Sequence, residues 1–284
     1  MTTSNRYILT IKCPDQAGII HRVSGALMAV GGNVLEQAQF TDEDSGFFCM
    51  RTKFETLRGD LEALTSVVVD HVKSLEPELT LRREADHLRA IILVSKHDHC
   101  LLDLLYRFGN GEMPIDIPVI VSNHEDCREI ADRYHIPYVH LPITPDNKAE
   151  QEAKLLDLIA EHVIDVVVLA RYMQVLSGDF CDKMPGRIIN IHHSFLPGFK
   201  GARPYQQAHE RGVKLIGATA HFVTGDLDEG PIIEQSVERV SHANTAADLV
   251  EIGRDVERVV LSRAVRLFAE DRIILTGQRT VVFS

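Results

Sequence analysis

The chain has 284 residues, long for one domain and comfortable for two. Hydrophobic residues make up 45% and charged residues 25%, a balance that excludes a disordered or fibrous protein. The net charge of -11, with no Lys/Arg block longer than a pair, argues against nucleic-acid binding, which rests on clustered basic residues.

The polar start, Met1 to Arg6, carries no signal-peptide pattern, and no apolar run approaches the roughly 20 residues that span a bilayer. A cytoplasmic protein is expected. Residues 1–85 then read as β-α-β-β-α-β. Tyr7 to Ile11 is a strand, broken by Cys13-Pro14-Asp15-Gln16-Ala17-Gly18. Ile20, Val23, Leu27 and Val30 recur at helical spacing, and Gly31-Gly32 ends that helix. Val34 to Thr41 and Phe47 to Phe54 read as strands about the hairpin turn Asp42 to Gly46. Leu61 to Leu75 is a second amphipathic helix, and Glu78 to Arg83 a last strand.

Arg82 to His87 is polar and aperiodic, which puts a domain boundary near residue 85. Within 86–284, Ala90 to Val94, Ile117 to Val121, Ile164 to Leu169 and Arg187 to Ile191 are Val/Ile/Leu runs. Such runs suit strands buried on both faces. Helical segments lie between them at Cys100 to Phe108, Glu125 to Tyr134 and Lys148 to His162. The alternation predicts an α/β domain with a mostly parallel, Rossmann-like sheet. Leu215 to Phe222 reads as a strand, Thr245 to Phe268 as a long helix, and the tail about Thr276-Gly277 as a hairpin. Five cysteines at unpaired spacings, Cys13, Cys49, Cys100, Cys127 and Cys181, predict buried free thiols.

Two segments carry chemistry. Asn190-Ile191-His192-His193-Ser194-Phe195-Leu196-Pro197-Gly198 starts where a strand runs out. Side chains alternate along a strand, so Asn190 and His192 share one side. Ligands of doubly wound sheets sit beyond the carboxyl ends of the strands. The second segment, His221-Phe222-Val223-Thr224-Gly225-Asp226-Leu227-Asp228-Glu229-Gly230-Pro231-Ile232-Ile233, holds three carboxylates just before Gly-Pro.

This pair of motifs resembles the folate-dependent formyltransferases, over roughly Arg89 to Ser284. The resemblance implies a catalytic set of Asn190, His192 and Asp228. It also implies folate contacts at Met173, Gln174, Val175 and Leu176, with Gln174 standing where the family has Arg, and at His193, His221, Val223 and Thr224. Members that formylate a ribonucleotide cradle its phosphate in a Gly-Ser-Asn turn. Here the matching stretch is Ser95-Lys96-His97-Asp98-His99-Cys100, which lacks the glycine and adds a carboxylate that repels phosphate. This departure argues against a nucleotide acceptor.

Pro14 to Ile19, with Gly31-Gly32-Asn33 before the second strand, looks like an ACT domain, a ferredoxin-like βαββαβ module. That resemblance implies association into a homo-oligomer and candidate sites for a small amino-acid effector at Asp15, Gly18 and Asn33. An ACT module ahead of a formyltransferase-like domain, with His192-His193 doubled, is similar to the hydrolytic branch of the family. The implied reaction is hydrolysis of 10-formyltetrahydrofolate to formate and tetrahydrofolate. No cofactor is expected, since folate is the substrate, and no nucleic acid or membrane partner.

Other readings stay open on the residues alone. Transfer to a small amine and a non-catalytic sensor are the alternative functions. Asp15 is also placed to cap the first helix, and Asn33 to make a turn. Asp226 and Glu229 suit a solvated loop. Lys200 and Arg203 suit either a glutamate tail or plain surface charge. Neighbouring histidines at 97/99 and 192/193 lack the companion ligands of a zinc site. His193 or the Lys96 to Cys100 segment is expected to narrow the space for a second substrate.

Overall fold

The computed structural model describes residues 5–196 and 204–284. It divides into two compact units: one runs up to His87 and takes in Glu270–Ser284, the other is Leu88–Ala269.

In the first unit the order is β1 (Asn5–Pro14), α1 (Ile19–Ala29), β2 (Asn33–Asp42), β3 (Phe47–Thr56), α2 (Leu61–Val72) and β4 (Glu78–Arg83). The strands form an antiparallel sheet in the order β2-β3-β1-β4. Alternation along β1 sends Tyr7, Leu9 and Ile11 to one face, where they meet Val23 and Leu27 of α1 and Leu64 and Val68 of α2. Each such buried side chain contributes about 1.5–3 kcal/mol. Asp60 caps α2, its carboxylate accepting from the amides of Glu62 and Ala63. Gly18, at φ 92, fills the N-cap position of α1 and no side chain caps that helix, so Asp15 does not take the capping role.

The second unit continues with β5 (Leu88–Val94), α3 (His99–Gly109), β6 (Ile115–Ser122), α4 (Arg128–Arg133), β7 (Tyr138–His140), α5 (Lys148–Glu161) and β8 (Val166–Leu169). Then come α6 (Gly178–Asp182), β9 (Ile188–His192), α7 (Pro204–Glu210), β10 (Leu215–Phe222), β11 (Ile232–Arg239) and α8 (Ala246–Ala269). The sheet order is β11-β10-β9-β8-β5-β6-β7. Strands β5 to β9 pair in parallel, and β10 runs antiparallel to both its neighbours. The chain builds outward from β5 to β7, then crosses to build β8 and β9 on the other side. The loops after β5 and β8 therefore leave from a topological switch point, where a doubly wound sheet offers its crevice.

Those two loops are stitched together. The Ser95 amide donates to the Arg171 carbonyl at 3.3 Å, and the Met173 amide donates to Ser95 Oγ at 2.9 Å.

The tail forms a hairpin of β12 (Ile273–Thr276) and β13 (Arg279–Val282), turned at Gly277 with φ 65. It was expected at the end of the second unit; instead it packs within the first. Ile274 and Phe283 bury against Cys49, and Arg272 reaches Glu36 at 3.0 Å. Arg51 donates to the Glu270 carbonyl at 2.9 Å, and Arg82 pairs with Asp271. These links span the whole length of the chain, which is why local pattern does not reveal them. All five cysteines are free and buried, as expected.

Candidate active site

The site grows from the end of β9. In the antiparallel register, His192 lies opposite Thr219 and Asn190 opposite His221 on β10. Thr219 holds the turn that follows: its hydroxyl donates to the Ser194 carbonyl at 2.9 Å and accepts from the Leu196 amide at 3.1 Å. Gln235 of β11 donates to Thr219 Oγ1 at 2.9 Å and to the Leu196 carbonyl at 3.2 Å. The residues that follow, 197–203, with the expected Pro197-Gly198 turn and the charges Lys200 and Arg203, lie outside the described residues.

The loop after β10 returns Asp228 to His192. Gly230 makes this possible, because a Cβ there would stand 1.8 Å from the Phe222 carbonyl oxygen. The Phe222 amide closes the loop by donating to the Pro231 carbonyl at 2.9 Å. Asp228 itself sits at φ 57, a left-handed conformation that Asp tolerates better than most residues.

The polar atoms then order themselves. His192 Nδ1 lies 3.2 Å from Asp228 Oδ1. His192 is 5% exposed, and its Nε2 is buried with no hydrogen-bond partner among the described residues. His221 Nδ1 lies 2.8 Å from the Phe222 carbonyl, which can only accept, so this nitrogen carries the proton. In the neutral ring Nε2 is then the acceptor for Asn190 Nδ2 at 3.2 Å. Hydrogen bonding from His192 is the largest influence holding the Asp228 carboxyl well below the usual carboxylate range. Burial, with Arg171 and His192 nearby, brings His193 from its usual 6.5 down to about 4.

One cavity of about 820 Å³ is lined by every residue that the sequence placed in catalysis or folate binding. Met173 and Val175 are more than half exposed at its rim, and Leu176 is buried. The first-unit candidates lie apart from it in the chain. Asp15, Gly18 and Asn33 are all exposed, and Asn33 donates to Glu55 at 3.3 Å in place of making a turn. Asp226 and Glu229 are exposed in their loop.

The same cavity is lined by Arg171, Tyr205 and Glu257, which local pattern does not single out. Tyr205 and Glu257 are 52 positions apart and meet only through the fold. His99, Cys100 and Glu257 offer ligand atoms within 4.8 Å of one another. Their chemistry fits a hydrogen-bond network better than a metal. Glu257 already accepts from Tyr205 and His99, and burial drives the Cys100 thiol well above its usual pKa.

The sequence matches the formyl transferase family over residues 88–265. It is 46% identical to the formyltetrahydrofolate deformylase of Bacillus subtilis (strain 168), over 97% of this chain and 93% of that protein. The crystal structure of the formyltetrahydrofolate deformylase from Burkholderia mallei superposes with a TM-score of 0.95 at 48% identity, covering 99% of this chain and 100% of that one. A glycinamide ribonucleotide transformylase 1 from Symbiobacterium toebii is more distant. It is 32% identical with a TM-score of 0.66, over 72% of this chain and 98% of its own.

Proposed function

The chain belongs to the formyltetrahydrofolate deformylase family, and from that premise we propose that it hydrolyses 10-formyltetrahydrofolate through Asn190, His192 and Asp228. One observation carries the assignment of roles: His192 is anchored through Nδ1 by Asp228, while its buried Nε2 lacks a partner in the protein. A buried polar atom left unpaired costs about 1–3 kcal/mol, and a substrate that pairs with it recovers that cost.

The formyl group on N10 is an amide. Water adds to its carbon and gives a tetrahedral oxyanion. Asn190, its amide oriented by His221, has a second N–H for that oxygen, and in the doubly protonated ring His192 Nε2–H is the other donor. Asp228 keeps the His192 proton on Nδ1 when the ring is neutral, and balances the ring's charge when both nitrogens are protonated. It also positions the attacking water. The proton that the attacking water gives up passes to N10, through His192 or a water held by Asp228; the C–N10 bond then breaks and releases formate and tetrahydrofolate. The apolar side chains of Met173, Val175 and Leu176, with Val223, suit the flat pterin, and Gln174, His193 and Thr224 supply polar edges. These groups meet the needs of the reaction without a cofactor.

The first unit serves as an ACT-type module for association between subunits, with the Asp15, Gly18 and Asn33 region as a candidate amino-acid site. The βαββαβ order supports this reading. No helix among the described residues is long and apolar enough to cross a membrane, in keeping with a cytoplasmic enzyme.

Steady-state kinetics of Asn190→Ala test the assignment. Loss of one oxyanion donor lowers kcat by about 10²–10³ with little change in KM. An unchanged kcat, or a change in KM alone, would remove Asn190 from the chemical step.

A further inference from the structure

The cavity continues past His192 to a polar wall. The His193 ring meets His192 edge-on at 5.1 Å and Tyr205 edge-on at 6.2 Å. Behind it stands Glu257, 1% exposed, which accepts from Tyr205 Oη at 2.6 Å and faces His99 Nε2 at 2.8 Å and Arg171 Nε at 3.4 Å. Burial opposes ionisation of Glu257, but His99, Arg171 and Tyr205 more than offset it. The four side chains come from the first residue of α3, from the loop after β8, from α7 and from α8.

This arrangement is costly. Arg171 adopts φ 62, and its buried Nε has no hydrogen-bond partner among the described residues. Glycine stands at position 253 of α8, where any Cβ would come within 2.2 Å of the Tyr205 ring. Apolar side chains would fill the same volume without the desolvation penalty of a buried ion pair. Stability alone is therefore a poor reason for the wall.

The reaction supplies a better one. Hydrolysis forms a C–O bond to the formyl carbon. Transfer to an amine would instead form a C–N bond there; both break C–N10, and both move a proton from the nucleophile to N10. The outcomes differ only in which nucleophile is admitted. An amine must bring its nitrogen to about 3–3.5 Å from the formyl carbon, with the rest of its body held beside the catalytic residues.

Resting on the hydrolase reading above, we infer that Arg171, Glu257, His99 and Tyr205 are specificity-determining residues that reserve the formyl group for water. They fill the space beside His193 that an amine acceptor needs. Glu257 already accepts from Tyr205 and His99, and the Arg171 guanidinium beside it occupies the place an incoming ammonium would take.

Arg171→Gly is the direct test, because glycine keeps the positive φ without strain while removing the guanidinium. The variant is incubated with 10-formyltetrahydrofolate and excess glycinamide, and formate and N-formylglycinamide are measured by mass spectrometry. The wild type yields formate only. The variant raises the ratio of N-formylglycinamide to formate at least about tenfold above the wild-type limit. Arg171→Gly with Glu257→Gln guards against misfolding, since it leaves no uncompensated buried carboxylate. Formylation of glycinamide by the wild type would overturn the inference. So would a variant that folds and hydrolyses yet makes no more of that product. If neither variant folds, the wild type decides with acceptors of increasing size. Formylation that falls from hydroxylamine to glycinamide supports the wall, and equal formylation overturns it. A wild type that releases no formate would instead undo the hydrolase reading itself.

Discussion

Two titratable side chains in the site are shifted in ways that can be measured. His193 is held neutral by burial, with a pKa of about 4 against a usual 6.5. Between those values the unfolded chain binds the proton that the folded chain refuses. Stability is therefore intact above pH 6.5 and falls as the pH drops toward 4. His193→Gln removes that linkage, and its unfolding free energy should depend on pH less steeply, by up to about 1.4 kcal/mol per unit between pH 4 and 6.5. Parallel denaturant titrations of both proteins check this, and identical slopes would contradict it. The Asp228 pKa is lowered as well, by hydrogen bonding from His192. The carboxylate remains ionised well below the usual carboxylate range, so its protonation does not set the acid limb of the rate profile. Asn190, His192, His221 and Asp228 were legible in the sequence because two local motifs carry them and β9 and β10 pair in register. Arg171, Tyr205 and Glu257 were not, since the His99 to Glu257 contact alone bridges 158 positions.

The elements that deliver these groups depend on close backbone approaches. Gly230 lets the loop after β10 fold back over Phe222 and carries Asp228 to His192. Gly230→Ala must displace that loop, and a shift of about 1 Å at a catalytic group costs about 10²-fold in rate. We expect kcat to fall by that order, and an unaltered kcat would mean that the loop tolerates a different path. Gly253→Ala should instead act on α8 and Tyr205 through overpacking, lowering stability by about 1–3 kcal/mol in a thermal melt. The long, periodic elements were readable in advance: α1, α2, α5, α8 and the apolar strands of the parallel sheet. Those that were not are short or atypical. β7 has three residues and α6 has five, too few to show a period. In β11 only Ile233 is fully buried, so the apolar alternation that marks a strand is nearly absent.

At the scale of the whole molecule, the sequence pattern divides the chain near residue 85 and the structure divides it after His87, yet the tail returns to the first unit. Removing residues 270–284 would uncover Cys49 and strip Arg51 of the Glu270 carbonyl. With Ile274 and Phe283 each worth about 1.5–3 kcal/mol, the truncated chain should show a clearly lower first transition by calorimetry. Sequence patterning missed this because a terminal hairpin carries no signal of which unit it will cover. The second unit's cavity is assigned one reaction, hydrolysis of 10-formyltetrahydrofolate. The most direct test of that assignment is to supply 10-formyltetrahydrofolate with no amine acceptor and to follow formate and tetrahydrofolate together, in the wild type and in Asp228→Asn. Equimolar release of both products by the wild type, reduced by about 10² or more in the variant, is the expected result. Undiminished release by Asp228→Asn, or none by the wild type, would contradict it.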